Sequence, residues 1–117
     1  MPNGIARVLC ITSSDANWLW LSDAVGERFM LVRESGTFSD IAKRVGLVSP
    51  SMAVVDFSPQ VGLDPSVVVR ELKDIAPDLP VVAMGSKDST DAVVTALRSG
   101  VKDFLGLDSS PGEVVKS

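Results

Sequence analysis

Asp56 closes the apolar run MAVVDF at 52–57. A carboxylate at that position can hold a metal ion, accept a transferred group, or simply cap the turn that follows. The groups able to assist it are short and mostly neutral. The run RVLCIT at 7–12 leads into Ser13, Ser14 and Asp15, and the run VVAM at 81–84 leads into Gly85 and Ser86. The chain has no His, so it offers neither an imidazole base nor an imidazole metal ligand. Its single cysteine, Cys10, lies inside RVLCI with no second Cys to pair with. It reads as a small buried hydrophobe, with a reactive thiol as the alternative. The segment TSSDAN lacks the glycine-rich pattern by which backbone amides cradle a phosphate, and no P-loop occurs, so no cofactor is implied.

Short apolar runs alternate with longer helical patterns, the signature of βαβ units around a mostly parallel sheet. Five runs occur: RVLCIT, FMLVRE at 29–34, MAVVDF, VVAM and DFLGL at 103–107. The third and fourth are apolar at successive positions, as inner strands covered on both faces are. Asp15 is placed to cap the first helix, and Thr37 with Asp40 forms a capping-box pattern for the second. Asp64 followed by Pro65 opens the third helix, and Pro77 and Pro80 end it. Asp88 or Ser89 caps the fourth, which closes at Gly100. Ser110, Pro111 and Glu113 start a fifth, so the chain reads as one domain over 1–117, cut from a longer protein. With a net charge of −4 and scattered Lys and Arg, it lacks the basic footprint of a direct nucleic-acid binder. No apolar run is long enough to insert in a membrane, and Met1 to Ala6 has no signal-peptide character, so a cytoplasmic location is expected.

The chain resembles the response-regulator receiver domain along its whole length, most specifically in LPVVAMGSKDSTDAVVTALRSGVKDFL. The resemblance implies a CheY-like, flavodoxin-like (βα)5 domain with a parallel five-stranded sheet in the order 2-1-3-4-5. Cys10, Val54, Val55, Val82 and Leu105 are expected in its core. It implies that Asp56 matches the phosphoacceptor aspartate. The acidic pair that binds metal in receivers then falls on Ser13 and Ser14, with Asp15 one place later. The hydroxyl residue after the fourth strand falls on Gly85, with Ser86 beside it, and the lysine after the fifth falls on Leu107. DFSP also brings the proline one position closer to Asp56 than is usual.

Phosphoryl transfer to a carboxylate rests on charge neutralisation by metal and lysine, and magnesium prefers carboxylates to hydroxyls. Phosphorylation is therefore expected to be slow or absent, with no metal and no catalytic residue. This degenerate set most resembles the atypical receiver at the N-terminus of TadZ/CpaE-type pilus-assembly proteins, where a ParA/MinD-like ATPase domain follows. The expected function is a non-catalytic interaction or dimerisation module in signal transduction or pilus-assembly localisation. The alternative is a phosphorelay receiver phosphorylated on Asp56, assisted by Ser86 and Asp15. A flavodoxin-like cofactor binder is the weakest reading.

Two surfaces are candidates for protein partners, including a second copy of the chain. Trp18, Leu21, Val25 and Phe29 form a helical stripe facing the sheet, which points Trp20 elsewhere and sets it beside Leu19 as an apolar patch. A broad buried stripe is the competing reading. The second surface carries Asp91, Val94, Arg98, Val101, Lys102 and Asp103; the resemblance implies that it serves output and dimerisation, and solvated surface charge is the alternative.

Overall fold

The parity of each apolar run decides which side of the sheet its residues cover. In the computed structural model, residues 6–58, 64–86 and 88–107 are described. The strands are β1 (Ala6–Ile11), β2 (Phe29–Glu34), β3 (Met52–Asp56), β4 (Val81–Gly85) and β5 (Phe104–Gly106). The helices are α1 (Asp15–Val25), α2 (Phe38–Val48), α3 (Pro65–Ile75) and α4 (Thr90–Ser99), with a 3-10 turn at Gly26–Arg28. The strands pair in parallel in the order β2-β1-β3-β4-β5, as expected.

Leu9, Ile11, Ala53, Val55, Val81 and Ala83 point to one side and pack with Ile41 of α2, Val68, Val69 and Leu72 of α3, and Ala96 of α4. Val8, Cys10, Val54, Val82 and Met84 point to the other, where α1 supplies Leu21 and Val25. Four of the five residues expected in the core are buried, while Leu105 is only partly so. It borders a groove of about 420 Å³ on the α1 side, between that helix and β5. The expected fifth helix lies outside the described residues.

Capping chemistry sets the helix starts. Ser14, not Asp15, caps α1, because its side chain accepts from the Asn17 N–H. Asp15 becomes the first helical residue and pairs with Arg33 of β2 at 2.8 Å. Thr37 and Asp40 form the full capping box of α2, Asp64 with Pro65 opens α3, and Ser89 rather than Asp88 caps α4. Gly100 ends α4 at φ 99°, in the left-handed region. At β5 the strand is shorter than the run 103–107, because the Asp103 side chain accepts from the Phe104 N–H and turns the chain there.

Of the two readings of α1, the structure has the broad buried stripe. Trp18 and Trp20 both pack, partly buried, against the same cluster, reaching it from opposite flanks of the helix. The proposed Leu19 and Trp20 patch thus reduces to Leu19, which is 65% exposed.

Candidate functional site

Asp56 ends β3 on the α1 side of the sheet, in register with Met84 of β4, and is 1% exposed. It is surrounded by donors. Its Oδ2 accepts from the Thr12 hydroxyl at 2.6 Å and from the Asn17 side-chain amide at 2.8 Å. Its Oδ1 accepts from the Ser58 N–H at 2.9 Å and the Ser58 hydroxyl at 2.6 Å. Each oxygen therefore takes at least two hydrogen bonds, which matches the lone-pair capacity of a carboxylate.

Local structure places each of these donors. Thr12 directly follows β1 and shares the parity of Val8 and Cys10, so it faces the same side as Asp56. Its hydroxyl gives its proton to Asp56 and accepts from the Ser14 N–H at 3.0 Å. Asn17 is the third residue after the α1 cap, and its amide nitrogen also donates to Ser58 Oγ at 2.7 Å. Ser58 in turn passes its hydroxyl proton to Asp56. The three side chains and one carboxylate make a connected hydrogen-bond network at the ends of β1 and β3.

The residues expected at this site are distributed otherwise. Ser13 is exposed, Ser14 serves as the α1 cap, and Asp15 is engaged with Arg33. The β1 contribution comes from Thr12. Gly85 does border the site: a Cβ there would lie 3.7 Å from the Ser58 nitrogen and 3.0 Å from Phe104 Cζ. Ser86 shapes the following turn, its hydroxyl accepting from the Asp88 N–H and its carbonyl from the Ser89 N–H. Leu107 packs on the α1-side cluster, so an apolar group stands where the resemblance implies a lysine. Lys102 lies at the opposite end of the sheet, its N–H bonded to the carbonyl of Val81 at the start of β4. Pro59 is outside the described residues.

The magnesium ion implied by the receiver resemblance does not fit this donor set. Two hydroxyls, an amide and a backbone N–H already bond the Asp56 oxygens, and among the described residues no group of three or more Asp, Glu, His or Cys side chains converges. Cys10, below the site in β1, is inert: burial, then the neighbouring Asp56 charge, push its thiol up to about 12.

On α4, Asp91, Val94 and Arg98 are exposed, as are Lys102 and Asp103 beyond it. Val101 is not part of that face. It follows the left-handed turn at Gly100 and is buried in the cluster shared with α2 and α3, at 8% exposure. Leu97, which sequence reading passed over, takes its place at 54% exposure, beside Val94 at 38%. Three-residue spacing puts the pair on one side of α4.

No protein-family profile matches the chain. Among curated proteins it is similar to the regulatory protein LuxO of Vibrio cholerae, at 33% identity over 72 residues. That match spans 60% of this chain and 15% of LuxO. Among solved structures it is similar to a CheY-like protein, TadZ, of Pseudomonas aeruginosa, with TM-score 0.78, 18% identity, and 95% and 94% of the two chains covered. A pilus assembly-related protein of Burkholderia pseudomallei has TM-score 0.74 and 21% identity over 96% of this chain and 85% of that one. NtrX of Brucella abortus has TM-score 0.82 and 18% identity over 97% of this chain and 25% of that one. The chain has the fold of CheY-like receiver domains.

Proposed function

We propose that this domain is a receiver-like protein-interaction module that performs no phosphoryl transfer, and that it acts in signal transduction or in pilus-assembly localisation. The observation that carries this reading is the hydrogen bonding of Asp56 by Thr12, Asn17 and Ser58. A nucleophilic carboxylate must offer a lone pair to phosphorus and have its growing charge neutralised by cations. Here both oxygens accept from Thr12, Asn17 and Ser58, Leu107 supplies no charge, and among the described residues no cluster of carboxylates could hold a metal. The similarity in fold to TadZ and to the pilus assembly-related protein supports the localisation role. A net charge of −4 is in keeping with a protein rather than a nucleic-acid partner.

Incubation with acetyl phosphate and MgCl2, followed by intact-mass measurement, tests this. The unmodified mass is expected to persist. Stoichiometric phosphorylation that vanishes in Asp56→Asn would instead establish a working phosphorelay receiver.

A further inference from the structure

The amide of Asn17 is placed against Asp56 in a way that only its nitrogen end allows. A carboxylate accepts and does not donate, so the atom 2.8 Å from Asp56 Oδ2 is the NH2 group. Its second proton is directed to Ser58 Oγ at 2.7 Å, leaving that hydroxyl to donate to the other carboxylate oxygen. The amide thus spans one carboxylate oxygen and the segment just beyond β3. A divalent ion binding Asp56 Oδ2 from the α1 side would have to displace it, since Thr12 already donates to the same oxygen.

We propose that Asn17 is a positioning residue whose side-chain amide stands in place of a divalent cation, holding the strand-end loops around Asp56 in one arrangement without metal. This rests on the reading of the domain as a non-phosphorylated module and goes beyond it by naming the residue that makes the site independent of metal. The partial positive charge of the amide protons, reinforced by two hydroxyl donors, does the neutralising that an ion would otherwise do. The arrangement gains from being fully satisfied: no buried side-chain polar atom among the described residues lacks a partner.

Thermal melts and amide NMR spectra, each with and without MgCl2, test this. In the wild type, the melting temperature and the Thr12, Asn17 and Ser58 amide signals are expected to be unmoved by millimolar MgCl2. Asn17→Asp places a second carboxylate beside Asp56, so the variant should melt lower than wild type without metal. MgCl2 should then raise its melting temperature by roughly 5 °C and shift the signals around Asp56. Combining Asn17→Asp with Asp56→Asn should abolish that response. Asn17→Ala should melt lower and ignore MgCl2, which separates lost hydrogen bonding from gained metal affinity.

The proposal is overturned if MgCl2 shifts the wild-type signals at Thr12 and Ser58, or if Asn17→Asp, folded or not, gains nothing from MgCl2. The second outcome, with wild type still unlabelled by acetyl phosphate, removes only the role of Asn17. Labelling of the wild type removes the functional reading itself.

Discussion

Thr12 is the buried hydroxyl of the Asp56 cluster and a stringent test of it. Its hydroxyl both donates to Asp56 and accepts from the Ser14 N–H, and it is buried. Thr12→Val keeps the shape and removes both bonds, taking one donor from the buried Asp56 carboxylate and the partner from the half-buried Ser14 N–H, which costs about 1–3 kcal/mol. Urea denaturation should register that loss, and a change below about 0.5 kcal/mol would show that water substitutes freely at the site. Asp56 is legible in the sequence as the end of a buried run. Of its partners, Thr12 follows from strand parity, two residues beyond Cys10, and not from the neighbouring hydroxyls Ser13 and Ser14. Ser58 reaches Asp56 through a local turn two residues long, whereas Asn17 depends on the angle at which α1 leaves β1, which no local pattern encodes.

At the level of elements, most boundaries were readable because caps and glycines act locally. Thr37, Asp64 with Pro65, and Gly100 each do what their neighbours in sequence require. The misjudged cap at Asp15 follows from one competing contact: Arg33 draws that carboxylate to β2, and Ser14 caps instead. For the tryptophans, the broad buried stripe holds and the exposed patch does not. Helical angle predicts where Cβ points, not how far an indole can lean back to the sheet.

The capping box of α2 carries a prediction. Thr37→Ala should cost about 0.5–2 kcal/mol in equilibrium denaturation. Bonds from the Thr37 backbone N–H and then its hydroxyl hold Asp40 below its ordinary carboxyl value. A carboxyl lowered in the folded state stabilises at pH above the unfolded value, and this contribution is lost as pH falls through the folded value. Wild type should therefore lose more stability than Asp40→Asn on acidification below about pH 4. Parallel acid titrations of the two proteins check this.

For the whole molecule, the exposed side of α4 is the surface whose composition best suits a second copy of the chain. Val94 and Leu97 supply an apolar centre, and Asp91 and Arg98 flank it with opposite charges that can pair reciprocally across a two-fold axis. Exposed ion pairs contribute about 0–1 kcal/mol each, so the apolar pair must supply most of the affinity. A weak, salt-sensitive dimer is expected, abolished by Leu97→Asp and weakened by Arg98→Glu. Sedimentation velocity over a concentration series decides it. A wild type that stays monomeric throughout, or a dimer untouched by either substitution, moves the interface away from α4, with Leu19 next to test.

The contact between Gly85 and Phe104 bears on which substitutions position 85 can accept. Any side chain at Gly85 would begin 3.0 Å from the tip of the Phe104 ring, so the ring must give by a few tenths of an ångström. A hydroxyl residue introduced there is thus tolerated or not according to what occupies position 104, and the two positions are epistatic. A smaller residue at position 104 of β5 would therefore widen the range of residues that position 85 accepts.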